Sequence, residues 1–195
     1  LRRIDPACNM KRFYRMTVDL THRDDGPMTV DFIIGCRSET RKVFGAPAES
    51  RYIRVPLFWG QRTKGNEAVL VRTPDICGED PEKALPEDFL PVILHAANAD
   101  DISFLTGYLS ERAYDQEVSR LTFHKATITE VDKADYEAWI ATGAKNVIPQ
   151  YRTDLSDPDY FGGAFPKGDP RRTAVTICNW VIRYPIPDDL KPEVR

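Results

Sequence analysis

Three histidines, four cysteines and a group of loop aspartates are the side chains in this sequence best suited to hold a metal, attack a carbonyl or move a proton. His22, His95 and His124 are widely separated, and none has a partner at the spacing of a zinc protease, which would read H-E-x-x-H. His22 falls beside a turn, His95 on an expected helix and His124 within an expected strand. Each is therefore expected in a surface role or a satisfied structural one.

The cysteines, Cys8, Cys36, Cys77 and Cys178, never occur as C-x-x-C, which argues against a zinc knuckle or a dithiol redox pair. Two readings remain: disulfides in an exported protein, or buried free thiols acting as small hydrophobes in a cytosolic one. Four cysteines allow three connectivities, and their spacing does not choose among them. Cys178 lies in a very apolar segment, where burial would raise its pKa and leave it inert as a nucleophile. Neither a G-x-S-x-G elbow nor a phosphate-binding glycine loop is present.

Asp154, Asp157 and Asp159 sit in a loop rich in proline and glycine, the kind of segment that offers oxygen ligands to a hard cation such as Ca²⁺. Their spacing misses the EF-hand pattern, and aspartate before proline or serine is also common turn chemistry. No metal or other cofactor is expected. Tyr151, Tyr160, Phe161 and Phe165 bring a large aromatic surface to the same loop; these rings either fold back on the protein or dock on a partner.

The elements that must position these residues begin with a hairpin. Tyr14, Met16, Val18 and Leu20 alternate with Arg15, Thr17 and Asp19; after Asp25-Gly26 the alternation resumes through Met28, Val30, Phe32 and Ile34. Arg37 to Ser50 reads as loop, Arg51 to Phe58 as a strand whose Pro56 puts it at an edge or at its end, and Ala68 to Val71 as a strand covered on both faces. Trp59-Gly60 reads as the close of the second of these.

Pro74 to Pro86 reads as a long acidic loop. Helical spacing of Phe89, Leu90, Ile93, Leu94 and Ala97 predicts a helix from Pro86, and Ile102, Leu105 and Leu109 predict a second, short one. Leu121 to Val131 predicts a strand with a bulge between Phe123 and Ile128. Asp132 and Asp135 predict a capped helix carrying Tyr136, Trp139 and Ile140 and stopped by Gly143. A last strand is expected from Thr173 to Tyr184.

The expected fold is therefore α+β: a largely antiparallel β-sheet opened by a β-hairpin, with two or three helices packed on one face and long Pro-rich loops. Residues 1–11 read as an irregular N-terminal segment, 12–187 as a single domain and 188–195 as a tail. A formal charge of -3 is too balanced to track a phosphate backbone, so nucleic acid is not an expected partner. The apolar runs are far shorter than the ~20 residues of a membrane-spanning helix. The chain opens at Leu1, so a signal sequence or anchor ahead of it would not be readable. Arg2, Arg3, Lys11 and Arg12 make the opening basic, as suits either a solvated terminus or anionic headgroups.

Phe13-Tyr14-Arg15-Met16-Thr17-Val18-Asp19-Leu20 and Gly65-Asn66-Glu67-Ala68-Val69-Leu70-Val71 resemble segments of an uncharacterised group of proteobacterial envelope proteins. In that group a Y-R-x-T-V strand is followed by a G-x-A-V-x-V strand, usually behind a signal peptide or lipid anchor. Asp5-Pro6-Ala7-Cys8 departs from the lipid-attachment pattern. The resemblance implies an exported location, periplasmic and membrane-associated, and supplies no catalytic residues.

The expected function is a non-enzymatic binding or accessory protein of the bacterial envelope, a peripheral subunit of a membrane-bound complex with a protein as partner. The alternative is a small-ligand-binding protein or hydrolase whose site is assembled from distant residues. A pocket of roughly 300 Å³ or more lined by His95 or His124 would favour the alternative. The expected picture is of sheet residues as scaffold and irregular segments as contact surface instead of reactive groups; buried acid and base side chains bonded to one another deep in a cleft would overturn it.

Overall fold

The computed structural model describes residues 10–41, 44–45, 47–78, 85–102, 105–147 and 182–183. In chain order they form β1 (Met10–His22), β2 (Gly26–Arg41), β3 (Glu49–Val55), β4 (Phe58–Arg62), β5 (Ala68–Arg72), β6 (Ile93–Ala96), β7 (Leu105–Tyr108), α1 (Glu111–Tyr114), β8 (Leu121–Val131), α2 (Lys133–Ala141) and β9 (Ile182–Arg183). They make two sheets, ordered β3-β2-β1-β8 and β4-β5-β6-β7-β9, antiparallel throughout except where β9 runs parallel to β7.

The opening hairpin forms as its alternation dictates. Met16 pairs with Phe32, Val18 with Val30 and Leu20 with Met28. Arg23 to Asp25 make a three-residue connection into Gly26, whose φ of +80° is the left-handed conformation that such a loop requires and glycine supplies without strain. One face of the hairpin is polar and carries cross-strand pairs. Arg15 bonds Asp31 through Nε at 2.8 Å, and the Thr29 hydroxyl donates to Asp19 at 2.7 Å. The other face, with Met16, Val18, Val30 and Phe32, has no exposure at all.

That buried face packs on a second sheet. Trp59, Val69, Val71, Ile93 and Tyr108 join Met16, Val18, Leu20, Phe32 and Ile34 in one buried cluster, with the Phe32 and Trp59 rings stacked 5.8 Å apart. Each such side chain contributes about 1.5–3 kcal/mol on burial. The far side of the second sheet is buried too: Leu70, Leu94 and Leu105 pack with Ala99 and Ile102. Ala68 to Val71 is therefore covered on both faces, as its continuous apolar run requires.

β3 lies at the edge of its sheet and ends at Val55, as Pro56 implied. In β8 the pairing passes from Asp19–Lys125 to Leu20–Phe123, which leaves His124 as the extra residue of the expected bulge. Asp132 caps α2 as expected: it accepts the Asp135 amide at 2.8 Å, and Asp135 reciprocates at 3.2 Å. Tyr136 then stacks on Phe13, with ring centroids 4.9 Å apart, and closes one end of the hairpin's outer face. Asp132→Ala is expected to lower stability by about 1 kcal/mol, read from the urea midpoint. An unchanged midpoint would show that the cap is dispensable.

Three expectations are corrected. Residues 93–96 and 105–108 are strands, so the helices drawn from Pro86 to Ala97 and over 101–109 do not form. Trp59-Gly60 lies within β4, which begins at Phe58, instead of closing β3. β2 continues to Arg41 and β3 begins at Glu49, which shortens the loop expected from Arg37 to Ser50. The described residues hold two helices, of four and nine residues. The apolar face of the hairpin is covered chiefly by β4, β5, β6 and β7.

Candidate functional site

At one end of the space between the sheets, the apolar stripes of three strands finish in polar side chains. On β1 the inward positions Met16, Val18 and Leu20 are followed in phase by His22. On β5 the inward Val69 and Val71 are preceded in phase by Glu67, and on β6 the inward Ile93 is followed by His95. His95 pairs with Val69, so it is the diagonal neighbour of Glu67. Nε2 of His22 lies 3.1 Å and Nε2 of His95 2.5 Å from the same Glu67 oxygen, Oε2. Arg120, just before β8, donates to the other oxygen, Oε1, at 2.7 Å.

Two tight turns hold this arrangement. The Glu67 amide donates to the Thr63 hydroxyl at 3.1 Å, and the Gly65 amide donates to the Asp25 carboxylate at 3.0 Å, which ties the β4–β5 turn to the β1–β2 turn. Arg120 also bonds Asp24, and the Arg23 amide donates to the Arg120 carbonyl at 2.8 Å. The amides of Asp24 and Asp25 point at Nδ1 of His22, at 3.4 and 3.3 Å. Nδ1 is thus an acceptor, and the ring hydrogen sits on Nε2, directed at Glu67.

Burial is deep: the His22 side chain is fully covered, His95 is 4% exposed and Glu67 14%. Burial pushes the Glu67 carboxyl up, but the Arg120 hydrogen bond and the two imidazoles outweigh it and hold the group below its ordinary value. For His95 burial prevails over the attraction of Glu67 and lowers the imidazole pKa, favouring the neutral ring. Both shifts have one sign: the unfolded chain binds more protons. Stability is therefore fully present above pH 6.5, falls as His95 must be protonated in the unfolded chain alone, and falls again below the ordinary glutamate value of 4.5. Thermal midpoints in chelator-containing buffers from pH 8 to pH 4 are expected to fall monotonically. A midpoint that rises on acidification would contradict this charge assignment.

A carboxylate that takes its donors from two imidazoles and a guanidinium can lock two sheets together, pass a proton between the rings, or, with the two Nε2 atoms, ligate a metal. Ligand atoms of His22, Glu67 and His95 all lie within 4.8 Å of one another, the one such trio among the described residues. Acid and base side chains thus come together in the interior, with the buried His22 and His95 both bonded to Glu67. His95 reaches the site from a strand, where a helix was expected. His124 stays outside it, exposed on the bulge and bonded to Thr21 at 2.7 Å.

Cys36 and Cys77 form a disulfide, each sulfur-bearing residue 3% exposed, while Cys8 and Cys178 lie outside the described residues. So do Asp154, Asp157 and Asp159, and Tyr151, Tyr160, Phe161 and Phe165. A separate cavity of about 290 Å³ is lined by Arg54, Arg72, Asp75, Phe89, Leu90 and Val92, and neither His95 nor His124 borders it. Among the described residues no helix is long and apolar enough to cross a membrane. Set against known proteins, the chain matches no family model, no curated protein and no solved structure.

Proposed function

We propose that the chain is an exported, non-enzymatic binding protein of the bacterial envelope, acting as a peripheral subunit of a membrane-bound assembly. The observation that carries this reading is the buried Cys36–Cys77 disulfide. Bonds of this kind persist in oxidising compartments and are rare where glutathione keeps thiols reduced. The resemblance of Phe13–Leu20 and Gly65–Val71 to envelope-protein strands supports the same location. The hairpin and its partner sheet form a rigid frame on which connecting segments can present a contact surface.

A second reading, a small-ligand protein or hydrolase with a site assembled from distant residues, draws support from the meeting of His22, Glu67 and His95. The two readings separate in one experiment. The full chain, affinity-tagged in its own cells, is recovered from mildly solubilised membranes and carried through two further columns. A partner held at constant stoichiometry is the expected result. Recovery of the chain alone, as a monomer in the soluble fraction, would count against the subunit reading.

A further inference from the structure

We propose that His22, Glu67 and His95 form a binding site for one divalent transition-metal ion of the zinc class. This stands on the geometry of the three side chains and is independent of the envelope reading. Two imidazole nitrogens and one carboxylate oxygen, from opposite sheets, lie within 4.8 Å of one another. That donor set suits zinc and its neighbours; calcium and magnesium take about six or more oxygens.

The pattern of donors points the same way. Both imidazoles are directed at Oε2, while Arg120 occupies Oε1 and so orients the carboxylate. An ion about 2.0–2.2 Å from each ligand would stand where the two N–H groups now converge. Tetrahedral ligands at that radius are roughly 3.4 Å apart. The His22 to Glu67 separation of 3.1 Å is already close to this, and His95, at 2.5 Å, must draw back from the carboxylate. The fourth position remains for water.

Ligation needs the lone pair of each Nε2, so the hydrogen that each ring now directs at Glu67 must move to that ring's own Nδ1; for His22 this atom now faces the Asp24 and Asp25 amides. The Asp25 carboxylate, with Oδ2 3.9 Å from Nδ1, is the group placed to accept it. Asp25 is thus a positioning residue, completing a carboxylate–histidine–metal relay of the kind that fixes ring orientation at metal sites. Each hydrogen leaves Nε2 to solvent while another returns from solvent to Nδ1 of the same ring, so no net proton is released.

The test is calorimetric titration of the chelator-stripped full chain with zinc chloride, followed by nitrogen-15 NMR of the histidine rings. One equivalent bound at micromolar or tighter affinity is expected, with His22 passing from the Nε2–H to the Nδ1–H tautomer. Glu67→Gln and His95→Gln are expected to weaken binding roughly a hundredfold, and Asp25→Asn roughly tenfold. His124→Gln, at an exposed histidine, is expected to bind as the unaltered chain does. Near-UV circular dichroism in chelator checks that each variant folds, and the unaltered chain alone decides the matter if some do not. Absence of stoichiometric uptake, an unchanged His22 tautomer, or zinc binding lost with His124→Gln would overturn the proposal.

Discussion

Glu67→Ala, measured in chelator, is expected to lower the unfolding free energy by about 2–4 kcal/mol, the largest effect of any polar substitution among the described residues. Glu67 accepts hydrogen bonds from three side chains on other elements, two of them almost wholly buried. Without the carboxylate, His22 and His95 keep their N–H groups in a dry space with no acceptor, and each orphaned donor costs about 1–3 kcal/mol. Arg120 loses less, because it is 30% exposed and retains Asp24. Arg120→Ala is accordingly expected to cost about 1 kcal/mol. Urea unfolding with an unchanged slope is the measurement. A loss below about 1 kcal/mol for Glu67→Ala would mean that water satisfies the imidazoles and that the centre is wetter than its burial implies.

Joint replacement Cys36→Ala and Cys77→Ala, or reduction of the natural chain, is expected to cost about 4 kcal/mol. The bond closes a loop with a sequence separation of 41, and restricting the unfolded chain over that length contributes about that much. For a domain of this size that corresponds to a thermal midpoint lowered on the order of 10 °C. Cys36 continues the inward stripe of β2, and Cys77 follows β5 of the other sheet, so the bond links the two sheets through their shared core. Thermal unfolding with and without reductant reads the effect directly. Equal midpoints would remove the bond from both the stability and the export reasoning.

Much of the first sheet could be read from residue order because one of its faces meets water. Arg15, Thr17 and Asp19 mark the polar face of β1 as clearly as Met16 and Val18 mark the other, and the parity slip after Phe123 marked the bulge. The cap of α2 was equally legible, since Asp132 and Asp135 act within one turn. The second sheet was not, because β6 is buried on both faces and shows no alternation; Phe89, Leu90, Ile93 and Leu94 fit a helical stripe as well as a strand. Pro91, inside that segment, was the available counter-signal, since it removes a helix donor and crowds the preceding turn.

The polar centre left a fainter trace. His22, Glu67 and His95 each stand in phase with an apolar stripe, a position where a polar side chain demands a partner. What residue order does not contain is which strand ends lie together. That follows from β1 and β6 belonging to different sheets, joined at this end by the Asp25–Gly65 and Arg120–Glu67 contacts.

The disulfide and the polar centre sit in one shared interior, and export is the condition under which the first of them persists. The most direct measurement is thiol mapping of the protein taken from its own cells. Cells are fractionated, free thiols are blocked without reductant, and peptides containing Cys36 and Cys77 are identified by mass. The expected result is a linked Cys36–Cys77 peptide recovered from the envelope fraction. Blocked, unlinked Cys36 and Cys77 in chain recovered from the cytosol would contradict it.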